Sequence, residues 1–125
     1  MAGCHDRGTK ILKFFLNVSK DEQRRRFLDR IDDPTKHWKF SKADLAERRL
    51  WDKYQSAYEE AIAATSTDAA PWYVIPADRK WAMRAVVADI ISTTIQGMDL
   101  HYPRLTSADE ESLAVAKTTL SAEGA

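Results

Sequence analysis

Hydrophobic and polar positions fall into blocks along the chain. TKILKFFLNVS, Thr9 to Ser19, is a nearly continuous apolar run broken by Lys13. Its β-forming residues predict a strand buried on both faces of a parallel sheet, with a helix as the rival reading. Ser19 with Glu22 three residues on is a capping-box signal, and it favours the strand because a helix then starts at about Lys20. That helix runs to about Asp32, carries Phe27, Leu28 and Ile31 on one side, and is ended by Pro34.

Ser41 and Asp44 repeat the start signal and predict one long helix to about Ala64. Leu50, Trp51, Tyr54, Tyr58 and Ile62 recur along it at helical spacing, a stripe expected to pack as core. TSTDAAP reads as a loop, and WYVIP between Pro71 and Pro76 as a second short strand. Asp78 is placed to cap a third helix whose stripe of Met83, Val87, Ile90, Ile91 and Ile95 closes at Gly97. Ser107 and Glu110 announce a last, weaker helix to about Leu120. Strand, two helices, strand, helix is an α/β pattern, and the long crossover implies parallel strands. Two strands are few for a parallel sheet, so the pattern reads as part of a domain, expected to expose apolar strand edges around Ile11 to Val18 and to self-associate.

Composition narrows the chemistry. The 125 residues, 44% hydrophobic and 30% charged, suit one globular unit. Nineteen basic residues balance nineteen acidic ones, so no global field points to nucleic acid or an acidic membrane. No apolar run approaches the ~20 residues of a membrane span, and the polar start resembles no signal peptide, so a cytoplasmic setting is expected. Cys4 is the only cysteine and reads as a free thiol; His5, His37 and His101 lack metal-ligand spacing. The glycines are Gly3, Gly8, Gly97 and Gly124, which leaves no G-x-x-x-x-G-K phosphate loop within these residues.

The charge is nonetheless unevenly spread. Lys20 to Lys53 holds eleven Lys and Arg against eight Asp and Glu, whereas Tyr54 onward holds five against ten. Two readings of RRRFLDRIDDPTKHWKF are open: a solvated helix face whose arginines pair with Asp29, Asp32 and Asp33, or a phosphate clamp using the bidentate fork of Arg. Trp38 and Phe40 read as anchors of the following turn, with base stacking as the alternative. PADRKW, Pro76 to Trp81, is a second candidate, because a strand end followed by a helix start suits an anion; Arg79 and Lys80 would face that crevice.

EQ-x-RRF, DP-x-K-x-WKFS-x-x-D, W-x-x-Y, T-x-T-x-x-APW and PADRKW follow one another, and in this order and spacing the chain resembles the carboxyl-terminal half of the polyphosphate kinase 2 family. The resemblance implies a partial P-loop kinase-like three-layer fold. Residues 9–104 would be the matching part, with a helical lid at about 20–64, residues 1–8 outside the match and 105–125 a helical extension. It implies phosphoryl transfer between inorganic polyphosphate and nucleoside mono- or diphosphates such as AMP and ADP, with magnesium. By the motif match Arg26 and Arg30 would clamp phosphate as catalytic residues, Arg25, Lys36 and Lys39 would support polyphosphate, and Arg79 and Lys80 would lie near the nucleotide. The family's phosphate loop and magnesium ligands lie upstream of the matched motifs. The chain alone is therefore expected to be inactive and to need a homo-oligomer or a complementing chain, with a non-catalytic polyanion-binding or assembly module as the alternative. Neither nucleic acid nor a membrane is an expected partner.

Overall fold

The computed structural model describes residues 8–124; Cys4 and His5 lie outside them. The chain forms two compact units, Met1–Ile95 and Gln96–Ala125. In the first, β1 (Lys13–Asn17) leads into α1 (Lys20–Asp32), a 3₁₀ helix (Pro34–Lys39), α2 (Lys42–Arg48), α3 (Trp51–Thr65), β2 (Trp72–Pro76) and α4 (Lys80–Gln96). The second contains α5 (Ser107–Glu123).

The strands pair in parallel, with Lys13 opposite Trp72 and Asn17 opposite Pro76. The amide of Ala77 donates to the Asn17 carbonyl (2.9 Å) and carries the pairing one residue beyond β2. Phe14 meets Tyr73 at a ring separation of 5.6 Å, whereas the next residue, Phe15, meets Tyr58 of α3 at 5.0 Å. Alternation along β1 therefore places successive aromatics on opposite faces. At the other end of the crossover, Lys13 Nζ donates to the Thr65 carbonyl (2.5 Å) and Trp72 Nε1 to the Thr65 hydroxyl (2.8 Å). Both ends of the segment between the strands are thus tied to the sheet.

β1 is shorter than its apolar run and is not buried on both faces, as the run had predicted; it has one neighbouring strand, and Leu16 is 47% exposed. The hydrophobic residues buried among those described are Ala70, Ile75 and Ala77, all on or beside β2.

α1 begins and ends at the expected residues, but its cap is assembled differently. Ser19 Oγ accepts the Glu22 amide (3.1 Å), while the Ser19 amide donates to Asp78 Oδ1 (2.7 Å) in place of the Glu22 carboxylate. Among the described residues no amide of α4 donates to Asp78, and the first turn of that helix closes through the Met83 amide on the Arg79 carbonyl. The single helix predicted from Ser41 to Ala64 is two helices. The amides of Arg49 and Leu50 reach only three residues back, to Ala46 and Glu47, and Leu50 leaves the helical region (φ −94°, ψ 17°) before α3 starts. These tighter bonds turn the chain at a sequence that local propensity alone would run straight through. In the second unit the cap of α5 is Thr106 with Asp109, a reciprocal capping box one residue before the predicted pair, and the helix extends three residues beyond Leu120.

Candidate anion-binding cavity

The carboxyl end of β1, α1, α2 and α3 enclose an open cavity of about 610 Å³. One wall is aromatic, built from Phe15, Trp51, Tyr54 and Tyr58. Tyr54 and Tyr58, one turn apart on α3, stack at 6.0 Å and 29°. Both are about two-fifths exposed, so the stripe read from sequence as core lines an opening instead. The Tyr54 hydroxyl donates to Glu47 Oε2 (2.5 Å), and this carboxylate raises the phenol above its ordinary range.

Arg26, Arg30 and Arg48 furnish the cationic side of the cavity, facing only Asp44 and the engaged Glu47 as carboxylates. The three guanidinium groups differ in what they have left to offer, because each carries five N–H donors in a planar fork. Arg26 spends Nε on Glu22 (3.0 Å) and Nη2 on the carbonyls of Ala77 (3.0 Å) and Asp78 (3.2 Å), leaving Nη1. Arg48 spends Nη1 on the Lys20 carbonyl (2.8 Å) and Gln23 Oε1 (3.0 Å), leaving the Nε–Nη2 edge that matches two phosphate oxygens. Arg30 stands 5.8 Å from the Phe27 ring and has no hydrogen bond or carboxylate partner among the described residues.

The other cations from the basic run lie elsewhere. Arg25 is bound to Glu22 and Asp29 and lies outside the cavity; its guanidinium is held more basic by Glu22, whose own carboxyl is pulled from 4.5 to about 2 by the Arg25 hydrogen bond first and by Arg26 in addition. Lys36 pairs with Asp33 (3.0 Å), and Lys39 Nζ sits 5.0 Å over the Trp38 ring; neither lines the cavity. Phe40 anchors the turn by an edge-on contact with Phe27 (6.4 Å, 88°), while Trp38 is 78% exposed and anchors nothing. Arg79 lines a second hollow of about 390 Å³ at the carboxyl ends of both strands, beside Asn17, Ser19 and Asp78; Lys80 does not.

Arg48 and the aromatic wall were not among the residues predicted for the site. Their signal is present in the sequence: Glu47, Arg48 and Gln55 share the helical spacing of Trp51, Tyr54 and Tyr58, and a face mixing charge with aromatics suits a wet wall better than a core.

The sequence profile of the polyphosphate kinase 2 family matches residues 3–103. The chain belongs to this family. It is 54% identical over 106 residues to an AMP/ADP-polyphosphate phosphotransferase of Meiothermus ruber, covering 85% of this chain and 40% of that protein. An ADP-polyphosphate phosphotransferase of Rhodopseudomonas palustris is 50% identical, with 87% and 38% covered. The crystal structure of polyphosphate kinase 2 from Arthrobacter aurescens superposes with a TM-score of 0.79 at 44% identity, over 92% of this chain and 41% of that one. The chain thus spans about two-fifths of the length of these family members. The fold expected from the resemblance, α/β and partial P-loop kinase-like with two parallel strands, is the one it shares with that crystal structure.

Proposed function

We propose that this chain forms the phosphate-gripping part of a phosphotransferase that moves phosphoryl groups between polyphosphate and AMP or ADP, in the cytoplasm. The observation that carries the reading is the convergence of Arg26, Arg30 and Arg48 on one aromatic-walled cavity in a member of this family. Phosphoryl transfer needs positioning and neutralisation of charge on the phosphate oxygens more than covalent help from the protein. Arg30 and Arg48, with free donor edges, grip the polyanion as the segment at about 20–64 acts as a lid. Arg26, largely spent on the backbone, sets the wall between the two hollows and adds one nitrogen. Arg79 serves the nucleotide from the second hollow, with Lys80 close by in sequence. Arg25, Lys36 and Lys39 contribute long-range attraction from outside the cavity.

The family's chemistry uses magnesium, but no group of three or more His, Cys, Asp or Glu side chains that could hold a metal ion gathers among the described residues, so no step here runs through one.

The test is titration of the purified chain with long-chain polyphosphate at increasing salt, beside assays of phosphoryl transfer to AMP and ADP with magnesium. Binding that weakens steeply with salt, as counterion release requires, and is lost in Arg30→Ala with Arg48→Ala supports the gripping role. Transfer that fails together with binding in those variants supports a catalytic part; binding without transfer by the chain alone is the outcome expected of a part that needs a complementing chain, and transfer still absent once the family's upstream half is added assigns a polyphosphate-binding module. Salt-insensitive or absent binding overturns the proposal.

A further inference from the structure

We infer that Asp78 is a positioning residue for the arginine cavity, acting through the first turn of α1. A capping box needs a side chain that reaches back to the N-cap amide. Glu22 stands at the right place in sequence to do so, but its two oxygens are engaged by Arg25 and Arg26. Asp78, 59 positions further along the chain, supplies the missing acceptor to the Ser19 amide at 2.7 Å. The local cap of α1 has thereby become a tertiary link to the turn after β2.

A second link lies one turn further along. Arg26 Nη2 donates to the carbonyls of Ala77 and Asp78, and Ala77 is 2% exposed and hydrogen-bonded to Asn17. Arg48 docks on the same first turn of α1 through the Lys20 carbonyl and Gln23. Asp78 therefore fixes the element on which Arg48 docks and from which Arg26 and Arg30 project. Neither the Asp78 carboxylate nor the Ser19 amide lines the large cavity, so the effect of Asp78 on an anion there is transmitted through the arginines.

The inference rests on the phosphate-gripping reading for its functional consequence, and its test separates the two. The required atom is an oxygen acceptor, so Asp78→Asn retains the link and Asp78→Ala removes it. In ligand-free chain, hydrogen exchange at the Ser19 amide should accelerate, and the Arg26 Nε–H resonance should shift, in Asp78→Ala, with both restored in Asp78→Asn. Polyphosphate affinity should fall about tenfold in Asp78→Ala and stay within about twofold in Asp78→Asn. In the Asp78→Ala background, Arg30→Ala should cost less than it does alone, because a displaced arginine has less to lose. Unchanged exchange and arginine signals in Asp78→Ala overturn the link. Fully additive losses, or failure of Asp78→Asn to restore affinity, overturn positioning in favour of a direct or purely charge-based role. A wild-type chain that binds no polyphosphate overturns the gripping reading, while the exchange and resonance measurements still decide the link.

Discussion

Arg25 and Arg26 are adjacent in sequence and occupy opposite settings. Arg25 lies on the outer side of α1, 60% exposed, closed into a triad with Glu22 and Asp29. Arg26 shares Glu22 but is 24% exposed and turns toward the end of the sheet, and Arg30, one turn on, lines the cavity without a carboxylate. One helix thus carries a solvated, paired face and a second face whose arginines border the cavity. The difference follows from Asp29, four positions on and 56% exposed, which meets Arg25 on the outer surface, while Glu22 is shared by both arginines.

The largest test of this division is by charge removal. Arg30→Ala and Arg48→Ala should each weaken polyphosphate binding about ten- to a hundredfold, the scale of a lost charge-assisted hydrogen-bond pair, and each should reduce the salt slope by roughly one. Arg25→Ala should change affinity by less than about threefold; an effect equal to that of Arg30→Ala in titration calorimetry would abolish the distinction between faces. On stability the largest effect is expected of Ile75→Ala, at one of the few buried positions among the described residues, which should destabilise the first unit by about 2–4 kcal/mol in denaturant unfolding. Phe40→Ala, which frees the turn from α1, should cost about 1–2 kcal/mol in the same measurement.

Acid sharpens the comparison through Glu22, the carboxylate that both arginines share. Its folded value is depressed from 4.5 to about 2, so its stabilising effect is complete above pH 4.5 and is lost as pH falls toward 2. Asp33, drawn from 3.8 to about 2 by the Thr35 hydroxyl and then Lys36, adds to the same acid limb. Circular dichroism of Glu22→Gln should show a shallower loss of helix across that window than the wild type. The smallest effect is expected for Trp38→Ala, within about 0.5 kcal/mol, because the ring is almost fully in solvent.

The ends of α1, the span of β2 and the parallel crossover were legible because caps, prolines and hydrophobic period are local signals. The break at Arg49 and Leu50 was not, since the sequence around it is helix-compatible and the turn is fixed by bonds to residues in other elements, such as Arg48 on Lys20 and Gln23. The same cause hid the site. Trp51, Tyr54 and Tyr58 have the spacing of a core stripe, and only the shortage of covering residues shows that they border an opening. Asp78 was read as a cap for the helix beside it, when its partner lies 59 positions away. Of the residues assigned by the motif match, Arg26 and Arg30 line the cavity and Arg25, Lys36 and Lys39 do not, and the order of motifs does not reveal where a side chain is already paired.

Thr65 has a consequence for how this family can vary. With Lys13 and Trp72 fastened to it at one end, and Ser19 fastened to Asp78 at the other, the intervening segment is a closed loop whose chain entropy is already spent. Closure cost grows only with the logarithm of length, so ten residues inserted at the Pro34–Lys39 turn would add about 0.2 kcal/mol. The reach of the segment can therefore change by insertion at its tip while its two fastenings, and the cavity beside them, stay where they are.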